Sequence, residues 1–139
     1  MDNQLRARCT RLLEIPEQIE AVRRLLTAQR AELRKVRRKL DHLEAQIRLQ
    51  VPADLKNEKQ RDAWVLVACE ADQDWSKAKD REESLQTAID KYLAEHDVLD
   101  HERKSLRAVL EREYADIIET ALNDRALVEV LSRKGGLVG

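Results

Sequence analysis

The stretch that decides the fold is LRARCTRLLEIPEQIEAVRRLLTAQRAELRKVRRKLDHLEAQI, residues 5–47. Every seventh residue from Leu5 to Ile47 is leucine or isoleucine, and four of the seven residues at the matching d positions are aliphatic. A seven-residue aliphatic repeat sustained over this length is typical of a coiled coil. It predicts a helix from about residue 3 to about residue 50, and Pro16 predicts a kink or a tight restart inside that helix.

A loop and a second repeat follow the first. Residues 51–57 contain one of the two prolines of the chain, and Asn57 with Gln60 forms a capping-box pattern at the start of the next helix. A second series of mostly apolar residues at seven-residue spacing predicts one uninterrupted helix over about 58–120. Two long amphipathic helices joined by a short loop are expected to pack as an antiparallel hairpin.

The end of the chain carries the signals of a further helix. Asn123-Asp124 is a candidate N-terminal cap, and Gly135 is a candidate left-handed C-terminal cap. The expected fold is therefore all-α. A long antiparallel coiled-coil hairpin occupies residues 1–121, with its turn at about 51–57, and a short C-terminal helix with a glycine-ended tail occupies residues 122–139.

The composition excludes several classes of protein. All three glycines lie in the last five of 139 residues, so β-rich folds with tight hairpins, dinucleotide-binding fingerprints and phosphate-binding loops are not expected. No apolar stretch approaches the roughly 20 residues of a membrane span. The N-terminal segment has no apolar h-region, and two cysteines suit a reducing compartment. We expect a cytoplasmic protein with no membrane partner.

The hairpin leaves an apolar overhang. With the turn centred near Asp54, Met1 faces about residue 107, and the segment beyond it has no partner within the chain. Two helices bury little apolar surface by themselves, so we expect a homo-oligomer, with a dimer favoured. The predicted interface comprises Val109, Leu110, Ile117, Ile118, Leu122, Leu127, Val130 and Leu131.

A basic run is the strongest functional candidate. Between Val22 and Leu40 the net charge is +7, with Glu32 as the only acid. In the expected register Arg37 meets Asp72, whereas Arg30 and Arg23 meet no acid. Two interpretations stay open, a solvated or subunit-pairing surface and contact with a polyanion such as DNA. The run comprises Arg23, Arg24, Arg30, Arg34, Lys35, Arg37, Arg38 and Lys39.

Other constellations point to structure rather than chemistry. Trp64 and Trp75 lie on one helical face and are expected in the core. His96 and His101 do not share a face, and no further ligands converge on them, so no metal site is expected. We expect no enzyme, no cofactor and no small-molecule substrate, because the chain offers no loop for a pocket and no nucleophile near a base.

Three segments carry a resemblance to a known group of proteins. They are LKNEKQRDA at 55–63, ACEADQDW at 68–75 and AEHDVLDHERKSLRAVL at 94–110. They resemble small helical-hairpin accessory proteins of tailed bacteriophages and prophages, whose turn reads Asn-Glu-x-x-Arg-x-Ala. This chain departs from the pattern by extending past residue 110 and by Trp75 where tyrosine is usual.

The resemblance implies a non-enzymatic role among replication and recombination proteins, with the turn as a contact surface. It carries over Asn57, Glu58 and Arg61, although helix capping alone also explains Asn57. The first functional interpretation is an oligomeric factor that contacts DNA or a recombination protein through the basic run and the turn. The alternatives are a protein-only scaffold or stalk, similar to the charged stalk proteins of secretion systems, and an inhibitor of a host protein.

Overall fold

The computed structural model describes residues 3–138, and their side chains through Arg133. The described chain consists of three helices and contains no strand: α1 is Asn3–Arg48, α2 is Glu58–Ala71 and α3 is Gln73–Val138. The prediction of an all-α protein is confirmed. None of the described helices combines the length and the apolarity needed to cross a membrane.

The helices form two structural units. One unit consists of residues Glu20–Asp97, and the other of the residues up to Ile19 with those from Val98 onward. Both α1 and α3 therefore contribute to both units, whereas α2 lies wholly in the first.

The core of unit Glu20–Asp97 follows the seven-residue repeat of α1. The buried a positions Leu26, Leu33, Leu40 and Ile47 are spaced by exact heptads, and on α3 Leu85 is among the most buried side chains. Near the turn, Ile47 packs with Val65 and Cys69 of α2. Arg48 pairs with Asp62 at 2.9 Å and Arg37 with Glu82 at 3.5 Å, so higher numbers on α1 meet lower numbers beyond the turn.

The other unit has a smaller core. Ile15 and Ile19 are its buried side chains among the described residues. Leu12 and Leu5, the earlier residues of the repeat, are only half-buried. Arg11 donates two hydrogen bonds to the Glu102 carboxylate, at 2.6 and 2.8 Å. Arg8 forms an ion pair with Glu113. Here too, lower numbers on α1 meet higher numbers on α3.

Pro16 neither ends nor restarts the first helix. It lies inside α1, which runs without interruption to Arg48, two residues before its expected end. Proline removes one amide donor from the helix, and Ile15 beside it is fully buried.

The prediction of one helix over 58–120 is wrong, because Asp72 separates α2 from α3. Its backbone is extended, and its N–H donates to the carbonyls of Ala68 and Cys69, which ends α2. Its Oδ1 accepts the Trp75 N–H at 2.9 Å, which caps the start of α3. One aspartate therefore satisfies backbone groups of both helices.

The break at Asp72 changes which side chains of α2 and α3 are buried and which of their residues face α1. Val65 and Cys69 of α2 are buried, while Trp64 and Trp75 are half-buried and pack around them. Arg37 contacts Glu82 and Gln86, so the expected pairing of Arg37 with Asp72 is wrong by ten residues. Residues in the turn and in the break at Asp72 do not advance the chain along α1. The α3 residues that face Arg37 therefore have higher numbers than the sequence predicts.

The prediction of a separate helix over 122–139 is also wrong. Asn123 and Asp124 lie inside α3, which continues to Val138 and includes Gly135. No described residue has a positive φ, so the left-handed cap expected at Gly135 is not formed. The alanines and leucines that flank Asn123-Asp124 favour helix more strongly than two capping residues favour a break.

We predict that Asp72→Ala lowers the free energy of unfolding by about 1 kcal/mol, because it removes the side-chain acceptor at the start of α3. Asp72→Asn keeps an acceptor at the same position and is expected to stay close to the wild type. Urea unfolding followed by circular dichroism measures both. Equal losses for the two variants would contradict a capping role.

The buried aliphatic at the centre of the smaller core gives a second stability prediction. Ile15 is 0% exposed and Leu13, two residues away, is 77% exposed. Ile15→Ala is expected to cost about 2 to 5 kcal/mol of unfolding free energy, because it leaves a cavity. Leu13→Ala is expected to cost less than about 0.5 kcal/mol. Similar losses for both in urea unfolding would show that Ile15 is not a core residue.

Candidate functional site

Five arginines of the basic run share one flank of α1. Their spacing, i, i+7, i+11, i+14 and i+15, places them within roughly 100° of the helix circumference, beside the buried repeat. All five are exposed in the structure. We call this surface the arginine flank, and it consists of Arg23, Arg30, Arg34, Arg37 and Arg38.

The middle of the arginine flank borders a groove between α1 and α3. The groove has a volume of about 340 Å³ and is open to solvent. Arg30, Arg34 and Arg37 line its α1 side and Gln86 its α3 side, above apolar residues that include Leu33 and Ile89. We call it the arginine groove. Three cations around an apolar floor make it a candidate site for anions.

Most of the basic side chains have no acid to neutralise them. Among the described residues, Arg24 pairs with Glu20 at 3.3 Å, Lys35 with Glu32 at 3.3 Å, and Arg37 with Glu82 at 3.5 Å. The others have no acidic partner within the described chain. They are Arg23, Arg30, Arg34, Arg38 and Lys39.

The α3 residues that line the arginine groove, Gln86, Ile89 and Leu93, are uncharged. Gln86 accepts a hydrogen bond from Arg37 Nη2 at 3.4 Å and donates one to Asp90 Oδ1 at 3.0 Å. The Asp90 carboxylate is thus engaged by an amide, and the acid of α3 that reaches Arg37 is Glu82. The sequence predicted no role for Gln86, because the expected register placed it opposite Arg23.

Glu82 neutralises part of the positive charge of the arginine flank at Arg37. Its carboxylate accepts a hydrogen bond from Lys79 at 2.9 Å and also pairs with Arg37. The Lys79 hydrogen bond, together with the charges of Lys79 and Arg37, holds the Glu82 pKa below its ordinary value, against the effect of partial burial. Arg37 is thus the one member of the flank with an acid partner among the described residues.

A neighbouring groove marks where the basic surface ends. Its lining includes Arg37, but three acids accompany this arginine: Asp41 and Glu44 of α1 and Glu82 of α3. Trp75 also lines it, with Lys79 Nζ 5.8 Å from the ring centroid. The tryptophan is packed against the core and partly covered by a cation, which fits the structural role expected from the sequence.

The three turn residues taken from the resemblance are exposed and mainly serve the helix start. Asn57 Oδ1 accepts the Lys59 N–H at 2.9 Å, which confirms it as the cap of α2. The Arg61 N–H donates to the Asn57 carbonyl at 3.0 Å, as helical geometry requires. Glu58 adds a negative charge in the first turn, where it stabilises the helix.

The predicted oligomer residues lie in the unit that contains the end of α3. Val109 and Leu110 are half-buried, and the other six are exposed. Leu110 and Ile117 border an apolar groove of about 540 Å³ together with Leu5, Cys9, Leu12 and Tyr114. Arg107 and Glu111 also line it. The sequence did not single out Cys9 or Tyr114, although Tyr114, Ala121 and Val128 follow one another at seven-residue spacing.

The described residues offer little for metal or thiol chemistry. They contain no group of three or more histidine, cysteine or acidic side chains arranged to hold a metal ion. Cys69 is buried, and burial, with the nearby Glu44 and Asp72 carboxylates, raises the pKa of its thiol. A thiol with a raised pKa is a poor nucleophile at neutral pH.

Comparison with known proteins identifies no relative: no family model matches the chain, and neither the curated proteins nor the solved structures give a significant match. The resemblance to phage hairpin proteins therefore stays a prediction.

The lowered pKa of Glu82 predicts how stability depends on pH. A carboxylate with a depressed folded-state pKa stabilises the fold above its unfolded pKa of about 4.3, and this contribution is lost as the pH falls through the folded-state pKa. Part of the loss of stability of the wild type below about pH 5 is therefore expected to disappear in Glu82→Gln. Glu83→Gln, which removes an exposed acid without an ion pair among the described residues, is the control. Identical pH profiles of unfolding for both variants would contradict the assignment.

Proposed function

We propose that this protein is a non-enzymatic accessory factor that binds the phosphate backbone of nucleic acid through the arginine flank. The observation that carries the proposal is the set of exposed cations without acidic partners among the described residues. Guanidinium groups bind phosphate oxygens in a planar, two-pronged geometry, which suits a surface rich in arginine to contact with phosphates.

The dimensions of the flank suit a phosphate backbone. Arg23 to Arg38 spans about 22 Å of helix, a length that matches about six phosphates of one DNA strand. No aromatic side chain lines the arginine groove, so base stacking is not offered. The proposed binding is therefore electrostatic, insensitive to base sequence and strongly dependent on salt.

The proposed scaffold for this surface is an antiparallel coiled coil. Support comes from each unit separately: buried residues recur at heptad spacing on α1, and ion pairs link α1 to the later helices in antiparallel order. The long hairpin expected from the sequence belongs to the same proposal. A coiled coil keeps one flank of α1 straight and exposed, which is what an extended polyanion requires.

The resemblance at the turn favours a setting in phage replication or recombination. Under this hypothesis Glu58 and Arg61, both exposed, contact a replication or recombination protein while the arginines hold DNA. The Asn57 side chain already caps α2, so of the three turn residues it is the one least expected to contact a partner.

The test compares two double variants that remove equal charge from the same helix. Arg30→Gln/Arg34→Gln removes two arginines without acidic partners, and Arg24→Gln/Lys35→Gln removes two cations that are already paired. We expect the first variant to bind random-sequence DNA between about tenfold and about a hundredfold more weakly at 0.1 M salt, with the slope of log K against log salt reduced by about two. The second variant is expected to bind nearly as the wild type. Fluorescence anisotropy with single- and double-stranded oligonucleotides measures both.

Two outcomes would overturn the proposal. One is the absence of binding by the wild type at about 50 mM salt, where backbone contacts are strong. The other is an equal loss in both double variants, which would mean that only net charge matters. Either result would leave a protein-only scaffold as the better hypothesis.

A further inference from the structure

The end of α3 carries an apolar face that nothing in the described chain covers. Every described side chain from Tyr114 to Arg133 is exposed, although this stretch includes eight large apolar residues. A single helix with such a face is marginal in water and is stabilised mainly by packing. One row lies within a narrow arc of the helix and continues from the apolar groove: Leu110, Tyr114, Ile117, Ala121, Val128 and Leu131.

We infer that this row, the α3 stripe, docks antiparallel against the α3 stripe of a second copy of the chain. In this arrangement the segment around Val128 of each copy occupies the apolar groove of the other. The interface is isologous, because the same surface is used twice about a two-fold axis near residue 119. This inference is independent of the proposed function, since it involves residues of a different unit.

The side chains of the stripe complement one another in this register. Coiled-coil layers then place Leu110 opposite Val128 of the second copy, and Ile117 opposite Ala121 of the second copy. In each of these two layers a larger side chain thus meets a smaller one, as close packing favours. Leu110 and Ile117 also line the apolar groove of about 540 Å³. Docking therefore places aliphatic side chains of the second copy in that groove.

Asp124, at the heptad position between Ile117 and Leu131 of the α3 stripe, also finds a partner. Asp124 lies on the same face as Ile117 and Val128, and in this register it faces Tyr114 of the second copy. The tyrosine hydroxyl donates to the carboxylate, which satisfies a group that is costly to cover unpaired. Tyr114 is exposed and free to make this contact.

Charge complementarity on the flank supports the same register. Glu111 faces Arg125 of the second copy, and the two-fold axis repeats the pair. Each residue now contacts only a neighbour on its own helix, Glu111 with Arg107 at 3.1 Å and Arg125 with Glu129 at 3.7 Å. Both are exposed and can turn toward a partner.

A parallel arrangement lacks these matches. It places Asp124 against Asp124 and gives Glu111 no cation across the interface. Two carboxylates facing each other in an apolar seam repel and disfavour the parallel dimer. The antiparallel second copy is therefore the occupant that the charges select.

A charge-swap series tests the inference on the full chain. Analytical ultracentrifugation is expected to show a concentration-dependent dimer for the wild type. Glu111→Arg and Arg125→Glu each place like charges across the interface and are expected to raise the dimer dissociation constant about tenfold. The double variant Glu111→Arg/Arg125→Glu restores opposite charges and is expected to return within about threefold of the wild type. Circular dichroism confirms that helicity is unchanged.

The orientation is tested by cross-linking. Glu111→Cys and Arg125→Cys are introduced separately into a chain in which Cys9 and Cys69 are replaced by alanine, and the two proteins are mixed. A short bis-maleimide is expected to join them efficiently, whereas Arg112→Cys, on the other side of the helix, is expected to react poorly with either.

Three results would overturn the inference. They are a wild-type monomer at all accessible concentrations, a double variant no better than its single variants, and preferential cross-linking of Glu111→Cys to itself. The variant Arg30→Gln/Arg34→Gln is expected to dimerise as the wild type does. A dimer without DNA binding, or DNA binding by a monomer, therefore separates failure of one proposal from failure of the other.

Discussion

The structure depends on one constraint, the burial of a single aliphatic residue of α1 every seven positions. From Leu26 to Ile47 only these residues of α1 are fully buried, while the d positions between them are half-covered. A seam this narrow leaves most of the helix surface in water. The chain can therefore carry 38% charged residues and still fold, because few of them lie in the seam.

The narrow seam also explains why the arginine flank is exposed. Residues at e positions lie beside the seam, where an acid on the facing helix can reach them. Arg37 meets Glu82 there, whereas Arg30 lies beside Gln86 and Ile89 in the arginine groove. Apart from Glu82, no acid of the later helices pairs with the arginine flank among the described residues, although the two halves of the chain have opposite net charge. Overall neutrality thus coexists with a locally unneutralised surface.

The sequence predicted what periodicity controls and missed what single hydrogen bonds control. The repeat of α1 predicts its buried residues correctly, and the capping-box pattern of Asn57 with Gln60 predicts the cap that Asn57 forms. The break at Asp72 depends on one carboxylate that accepts one amide, inside an otherwise helical pattern. That break shifts the register, and so it decided which residues face Arg37. Tyr114 was missed for a related reason, because the groove beside it depends on the register.

In the proposed dimer of α3 stripes, a polar residue defines the orientation of the two copies. An entirely apolar stripe would pack almost equally well in parallel and antiparallel directions and in several registers, because aliphatic contacts are not directional. Asp124 removes most of these alternatives, since it has a hydrogen-bonding partner only where Tyr114 of a second copy faces it. In the other arrangements the Asp124 carboxylate is covered without a hydrogen bond, which raises their free energy. Asp124 therefore weakens the apolar face but makes the pairing specific.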